Sequence, residues 1–434
     1  MKETIGNLIS NTAVVDAPGA NTGKKSIFKD EIPTARLDRP LRVLQVASID
    51  LAIKNLLLPL MKSLAEAGFE VEGAAADTGE GVAEEIERSG FRFHRINVKR
   101  SVKPIDLIES FKSIRNLLRR ERFDIVHFHT PIAAFIGRIA AKSANVPFVL
   151  YTAHGFYHHE GMKPVTKFFF ESLERFACRF FTDYLFCQSI EDSLSALNKH
   201  YLDSEKILHI GNGVDTSLFK PDVETGSIVR RELRIPPDAV VVTFIGRMVK
   251  EKGVLDLISA FKLVLKSAPD TYLVMAGDTG RTMDRDQDTM HRLKEESSNG
   301  ELRKKIIFTG FYEHPHRLLT ATDIFVLPSY REGVPRTVCE AMSSGVPVIA
   351  TNIRGPREEI DDGVTGYLIS THSPEELAEK IAFLATNKGK RTVMGMNARE
   401  KAERYFDERF VLARQIEVYK RFSRVLSTKS TVIG

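Results

Sequence analysis

Two glutamates and two cations in the second half of the chain are the residues best suited to chemistry. Glu332 and Glu340 stand seven residues apart in Ser329-Tyr330-Arg331-Glu332-Gly333-Val334-Pro335-Arg336-Thr337-Val338-Cys339-Glu340. The apolar run Ile324–Leu327 ahead of them reads as a buried strand. A polar loop, a short helix around Thr337–Ser343 and a second apolar strand, Val346–Ala350, follow. That order puts Glu332 in the loop at the carboxyl end of a strand and Glu340 in the next helix. In an open parallel sheet, ligands bind at that end of the strands. A fixed carboxylate accepts two hydrogen bonds from a diol, such as a ribose or a hexose. The helix start supplies backbone N–H groups and a positive dipole end for a phosphate. Upstream, Gly246-Arg247 closes an apolar run, and Lys252-Gly253 opens an amphipathic helix with Val254, Ile258, Phe261 and Leu265 on one side. Gly at such a turn lets a ligand approach the backbone. Arg offers a planar fork for a diphosphate and Lys a mobile point charge. Each pair alone is also what an ordinary solvated surface would show; together they describe a nucleoside-diphosphate site, with cations for the phosphates and Glu for the ribose.

Such a site needs a parallel sheet to carry it, and the chain predicts two. After Leu41–Ala47, short apolar runs recur at Glu70–Ala75, Arg92–Ile96, Asp124–Phe128, Phe148–Thr152, Tyr184–Cys187 and Lys206–Ile210, with amphipathic stretches between them. The pattern breaks at Gly211-Asn212-Gly213-Val214-Asp215 and restarts with Ala239–Ile245, Tyr272–Ala276, Ile306–Thr309, Ile324–Leu327 and Val346–Ala350. Strands alternating with helices of ten or more residues argue doubly wound sheets with helices on both faces. The expected organisation is a disordered arm at 1–39, a first Rossmann-like domain at 40–214 and a second, carrying the nucleoside-diphosphate site, at 215–405. A crossing helix and tail follow at 406–434. Neither sheet carries G-x-G-x-x-G or a P-loop, which argues against a dinucleotide dehydrogenase or a P-loop NTPase.

Composition sets the remaining bounds. At 434 residues with 43% apolar and 27% charged residues, the chain has the make-up of a multidomain soluble protein. No run of about 18 apolar residues spans a membrane, and the first 25 residues lack a signal-peptide core. Cys178, Cys187 and Cys339 are far apart and odd in number, so buried thiols are expected rather than disulfides or a zinc site. A net charge of +5 is too mild to argue nucleic acid.

The paired motifs Gly246-Arg247, Lys252-Gly253, Glu332 and Glu340 resemble those of the family 4 glycosyltransferases of the GT-B fold. Arg354-Gly355 and Asp362-Gly363-Val364-Thr365-Gly366-Tyr367-Leu368 extend the likeness through the second domain. Asp124–His129, Thr152-Ala153-His154-Gly155 and Gly211–Asp215 carry it into the first. The resemblance implies two Rossmann-like domains facing across a cleft, with a C-terminal helix crossing back to the first. It implies that Arg247 and Lys252 hold the donor diphosphate and stabilise it as a leaving group, while Glu340 binds the ribose. Glu332 would contact the transferred sugar, helped by backbone N–H groups in the Gly333, Val334, Pro335 and Thr337 segment, and Gly246 would lie against the donor. His154 would sit near the reacting carbon and the acceptor, and Tyr312 is a candidate neighbour of the base. Retention of anomeric configuration and no need for a metal or other cofactor are further implications. The expected activity is hexosyl or N-acetylhexosaminyl transfer, from a UDP-linked sugar to a polyprenyl-linked sugar or glycan, in surface polysaccharide or glycolipid assembly. Cytoplasmic location, peripheral at the inner face of the membrane, goes with it. The rival expectations are a nucleotide-sugar epimerase of the same fold and a non-catalytic nucleotide-sugar-binding module. Many members carry a Gly-Gly pair after the first strand; here that loop reads Ser48-Ile49-Asp50-Leu51-Ala52-Ile53-Lys54, an expected acceptor-side element.

Two metal-like patterns are set aside. Asp284-Arg285-Asp286 lies in a charged stretch with no strand behind it, and the H-x-H of His127 and His129 has no third ligand nearby. A membrane-facing surface is a further expectation. Lys112, Arg115, Arg119 and Arg122 line one face of a helix, after Lys99, Arg100 and Lys103. A second helix follows Lys163 and Lys167. Its core stripe is expected to be Val165, Phe169, Leu173, Phe176 and Phe180, leaving Phe168 and Phe181 outside it for an anionic lipid surface.

Overall fold

The computed structural model describes residues 39–99, 103–277, 286–298 and 300–432. The arm assigned to 1–39 lies outside them but for Arg39, as do Arg100, Asp284 and Arg285. The chain divides into two compact units. One comprises the chain up to Cys187, Asp192–Ile210 and everything from Leu412 onward; the other comprises Gln188–Glu191 and Gly211–Val411.

The first unit holds β1 (Arg42–Ile49), β2 (Glu70–Ala76), β3 (Phe93–Arg95), β4 (Ile125–Phe128), β5 (Phe148–Ala153), β6 (Tyr184–Cys187) and β7 (Ile207–His209). All pair in parallel, in the order β3-β2-β1-β4-β5-β6-β7. The second unit holds β8 (Val240–Ile245), β9 (Thr271–Ala276), β10 (Ile306–Gly310), β11 (Ile324–Leu327), β12 (Val348–Thr351) and β13 (Gly366–Ile369). Its parallel order is β10-β9-β8-β11-β12-β13. These are the doubly wound sheets expected from the alternation. In each, the strand order reverses beside the unit's first strand, between β1 and β4 and between β8 and β11. Helices cover both faces, so β4, β6, β11 and β12 are buried at every residue.

One expected strand shifts for a local reason, and one strand was not expected. The run expected at Val346–Ala350 pairs only from Val348. Pro347 has no N–H to donate, though its carbonyl accepts the Phe325 N–H at 3.0 Å. The edge strand β13 has no long apolar run to announce it. It forms because Gly366 lets its backbone lie against Val348, where a Cβ would stand 2.1 Å from the carbonyl oxygen.

The helices that matter for function are α1 (Pro104–Glu121), α2 (Pro131–Ser143), α3 (Pro164–Phe181), α4 (Val254–Ser267), α5 (Gln287–Ser297), α6 (Arg336–Ser343) and α7 (Glu408–Val432). In α1 the residues opposite the basic face turn inward, with Ile114 and Leu118 buried and Leu107 and Phe111 half-buried. Lys99 pairs with Asp106 at 2.9 Å and Glu109 at 2.8 Å, so it adds little to a basic surface.

The stripe expected for α3 is wrong. Val165, Phe169, Phe176 and Phe180 are 82, 57, 48 and 62% exposed, and Phe168 is 71% exposed. The inner face is instead Ala177 and Cys178, with Phe170, Leu173, Glu174 and Phe181 half-buried. A buried cation sets this rotation. Arg138 of α2 has no solvent exposure and lies over the Tyr151 ring, 4.2 Å from its centroid. It donates to Glu174 Oε1 at 2.7 Å, Thr182 Oγ1 at 3.2 Å and Ala134 O at 3.0 Å. An unpaired buried guanidinium is far costlier than a few exposed aromatic rings, so α3 turns Glu174 inward and its phenylalanines outward.

Candidate functional site

Most of the residues predicted for the donor lie on the segments that follow β8 and β11, at the carboxyl edge of the second unit's sheet, whereas Tyr312 follows the edge strand β10. Gly246 follows β8 and donates to Ala276 O at 2.9 Å; a Cβ on Gly277 would stand 1.8 Å from Gly246 O, so these two strand ends touch backbone to backbone. Arg247 is exposed, next in line. Lys252 closes a 3₁₀ turn, Lys250–Lys252, and Gly253 takes φ +67° where α4 begins. A Cβ on Gly253 would lie 2.0 Å from Pro328 O, so only Gly lets this turn pack against the end of β11. Tyr330 ties the two loops further, donating from its N–H to Glu251 O and from its hydroxyl to Asp256 Oδ2, both at 2.8 Å.

This packing brings Lys252 and Glu332 into direct contact. The Lys252 ammonium donates to Glu332 Oε1 at 2.5 Å, with the two side chains 17 and 9% exposed. The cation expected on phosphate and the carboxylate expected on sugar hydroxyls thus form one pair, 80 residues apart in sequence. Gly333, Val334 and Pro335 lead into α6. Gly355 (φ +90°) would put a Cβ 1.7 Å from Gly333 O, so the loop after β12 braces the loop after β11. Asn212 braces the other side, its Nδ2 donating to Val334 O at 2.8 Å. Thr337 is half-buried in the first turn of α6.

Glu340 lies one turn deeper. It is 8% exposed, and burial pushes its carboxyl up to about 7 despite Arg336, whose guanidinium stands 3.2 Å away. Tyr312 is half-buried and packs with Val229, Val241 and Val274 in a small satellite core; burial raises its hydroxyl. Asp286 serves a structural end as the N-cap of α5, accepting from Thr289 N at 3.3 Å and Lys250 N at 2.6 Å.

In the first unit, the corresponding crossover lies between β1 and β4. His154 follows β5, half-buried, and meets His129 through its Nε2 at 3.2 Å from His129 Nδ1. The loop after β1 folds into helix, including a π turn at Ile53–Leu57 of the kind common at functional sites. Asp50 there is buried, accepting from Leu51 N at 2.7 Å and from Thr78 N and Oγ1 at 3.0 Å. Ser48 and Thr130 share a hydroxyl bond of 2.5 Å across the crossover. The H-x-H pair is no lone motif: both rings are buried and hydrogen-bonded to neutral side chains. Among the described residues, no group of three or more His, Cys, Asp or Glu could hold a metal ion.

Two residues bonded to these rings, Gln45 with His129 and Tyr419 with His127, escaped prediction. Gln45 had a signal: a single amide within the apolar run Val43–Ala47 must find a buried partner. Tyr419 had none, since its partners lie hundreds of residues away.

Comparison with known proteins bears on both units. Residues 54–218 match the family model described as Glycosyltransferase Family 4, and residues 227–401 match Glycosyl transferases group 1. The chain is 31% identical over 305 residues to the UDP-Gal:alpha-D-GlcNAc-diphosphoundecaprenol alpha-1,3-galactosyltransferase of Escherichia coli, covering 70% of this chain and 76% of that one. It is 25% identical to the N,N'-diacetylbacillosaminyl-diphospho-undecaprenol alpha-1,3-N-acetylgalactosaminyltransferase of Campylobacter jejuni, covering 74% and 83%. The solved structure of Anabaena HepE in complex with UDP and glucose superposes with a TM-score of 0.74 at 20% identity, over 88% of this chain and all of that one, which shows the shared fold. These relatives are transferases, which favours neither an epimerase nor a non-catalytic module. With a relative of this identity over most of its length, and family models over both units, the chain is a glycosyltransferase of the GT-B fold and belongs to family 4.

Proposed function

We propose that the chain is a retaining hexosyl- or N-acetylhexosaminyltransferase, taking its donor from a UDP-sugar and its acceptor from polyprenyl-diphosphate-linked sugars in surface polysaccharide or glycolipid assembly. The observation that carries the reading is the contact of Lys252 with Glu332 at the β8–β11 crossover, with Gly246-Arg247 in the loop after β8 and Glu340 in the helix after β11. The E. coli and C. jejuni relatives, named for undecaprenyl-diphosphate-linked acceptors, support the acceptor class, and the UDP-galactose of the former supports the donor.

In this reading Arg247 and Lys252 hold the diphosphate, Glu340 accepts from the ribose hydroxyls, and Tyr312 lies toward the base. Glu332 orients the transferred sugar, together with Gly333, Val334, Pro335 and Thr337. Arrival of the diphosphate gives the Lys252 ammonium a second anion, and Glu332 is then shared with sugar hydroxyls. The anomeric C–O bond to the phosphate breaks, and the acceptor oxygen bonds to the same face of that carbon. The departing phosphate oxygen takes the acceptor's proton. Charge grows on the leaving oxygen, so preorganised cations beside it are the protein's main contribution. His154 acts at the reacting carbon and acceptor, and the segment Ser48–Lys54 belongs to the acceptor side. No metal enters the reading. The enzyme works in the cytoplasm at the inner membrane face, with the exposed phenylalanines of α3 and the basic face of α1 against anionic lipid. Among the described residues no helix is long and apolar enough to cross a membrane.

Thermal stabilisation by UDP, GDP, ADP and CMP, with Glu340→Ala alongside, tests the donor site. A ligand at about 100 times its dissociation constant stabilises by roughly 2.7 kcal/mol. The expected result is a shift by UDP that Glu340→Ala loses, followed by turnover with one member of a UDP-sugar panel. A protein that responds to none of the four overturns the site.

A further inference from the structure

Tyr330 stands two residues before Glu332 and grips the turn that carries Lys252 at two points. Its N–H donates to Glu251 O at 2.8 Å, one residue ahead of Lys252, and its hydroxyl donates to Asp256 Oδ2 at 2.8 Å, in the first turn of α4. Between those points, Pro328 O fills the space where Gly253 would carry a Cβ. The bond of Lys252 to Glu332 at 2.5 Å then closes a short ring of Glu251, Lys252, Glu332 and Tyr330. Tyr330 and Asp256 are both half-buried, and burial together with the bond to Asp256 raises the phenol above its ordinary value. All these residues lie in the second unit.

A histidine with a strained backbone covers one face of this phenol. His372 lies between β13 and the helix at Pro374–Thr386, and its ring stands 3.9 Å from that of Tyr330, centroid to centroid, with 33° between the planes. Its Nδ1 is 3.9 Å from Asp256 Oδ2, the same oxygen that accepts from the Tyr330 hydroxyl. His372 has φ +57°, a left-handed conformation that glycine adopts readily and other residues seldom do. Among the described residues, the other non-glycines of positive φ are Arg122, Asn145, His200 and Arg234. Each follows the end of a helix, where a left-handed residue closes the last turn. His372 follows a strand instead. An outlier of that kind persists only where surrounding contacts hold it, and such residues gather at ligand clamps. Here the contacts are the Tyr330 ring and Asp256.

We infer that Tyr330 is a positioning residue for the donor diphosphate: braced by Asp256 and His372, it holds the Lys250–Lys252 turn so that the Lys252 ammonium stands beside Glu332 before the donor arrives. A lysine ammonium is a point charge on a flexible stem, so a fixed anchor is what preorganises it. This rests on the placement of Lys252 at the diphosphate. It gives the strained His372 and the Tyr330–Asp256 bond a task in donor affinity, beyond holding the fold together.

Calorimetric titration of the full chain with UDP tests this, with hydrogen exchange of the ligand-free protein alongside. Tyr330→Phe keeps the ring on His372 and the backbone bond to Glu251 and loses only the hydroxyl. It is expected to raise the UDP Kd roughly five- to tenfold, as is Asp256→Ala. Asp256→Asn keeps an acceptor for the hydroxyl and should stay within about twofold of wild type. In a Lys252→Ala background, Tyr330→Phe should change the Kd by less than about twofold, because its effect passes through Lys252. Exchange at Lys250–Lys252 should quicken in Tyr330→Phe while β8 and β11 stay protected. His372→Gly relieves the backbone, so it should keep or raise the melting midpoint and still weaken UDP binding. Tyr330→Phe with wild-type affinity, or with an equal loss in both backgrounds, overturns the inference, and a His372→Gly protein that binds UDP as tightly as wild type removes His372 from it. A wild type that binds no UDP overturns the donor site itself; exchange then decides alone, and a Lys250–Lys252 turn unchanged in Tyr330→Phe overturns the clamp as well.

Discussion

At the scale of single residues, Glu340 is the group whose chemistry the fold alters most visibly. Its ordinary carboxyl value is 4.5, and burial lifts it to about 7. Between those values the folded protein keeps a proton that the unfolded chain has released, so the contribution of Glu340 to stability falls as pH rises through that window. Ribose recognition has the opposite sign, since the ionised carboxylate is the better acceptor. UDP affinity is expected to rise from pH 6 to pH 8, and Glu340→Gln to flatten the part of that rise not shared with the ligand's own phosphate titration. Calorimetric titration at several pH values checks this, and a wild-type profile identical to that of Glu340→Gln would remove Glu340 from the ribose. Glu332 was found in the sequence by its spacing to Glu340, but its pairing with Lys252 was not. Spacing places a residue on an element; which partner it meets depends on how two loops pack.

At the scale of elements, the turn into α4 and the outer face of α3 carry the sharpest consequences. Gly253 has both a positive φ and a carbonyl where its Cβ would go. Gly253→Ala should cost more than about 2 kcal/mol and weaken UDP binding, because the β11 backbone cannot yield and Lys252 is displaced. Gly389→Ala, with open space around it, should stay within about 1 kcal/mol of wild type. Chemical denaturation of both variants checks the contrast. On α3, Phe168, Phe169 and Phe180 are exposed, as are Lys163, Arg175 and Arg179. The wild type should float with anionic vesicles at low salt, and Phe168→Ser/Phe169→Ser/Phe180→Ser should not, at an unchanged melting midpoint. Flotation that is absent in wild type, or equal in the variant, would remove α3 from the membrane. Helical periodicity could not foresee this face. Phenylalanines at core spacing predict burial, but an arginine buried on the neighbouring helix outweighed them.

At the scale of the whole molecule, the two units have separate cores, one built on Leu44, Val126 and Leu185, the other on Phe244, Phe325 and Ile349. The predicted donor residues belong to the second, and His154, expected on the acceptor side, to the first. Thermal unfolding should therefore resolve into two transitions, of which UDP raises the one belonging to the second unit. Peptide hydrogen exchange assigns each transition to its strands. Equal protection of both sheets by UDP would contradict a donor site contained in one unit. The C-terminal helix is the exception to this division, since α7 starts in the second unit and carries Tyr419 into the buried network of the first.

Much of this was settled by local sequence. The alternation of apolar strands with amphipathic helices determined two doubly wound parallel sheets, because strands buried on both faces must be apolar and crossovers must be helical. It also determined which loops hold Arg247, Lys252, Glu332 and His154 and that Glu340 lies in the helix that follows, since strand ends are legible from the same runs. Only the tertiary structure decided what those residues touch. It paired Lys252 with Glu332 and rotated α3 to satisfy Arg138. It also joined Gln45, His127, His129 and Tyr419 into one network. Each depends on buried polar groups finding partners, and those partners come from segments that local periodicity cannot bring together.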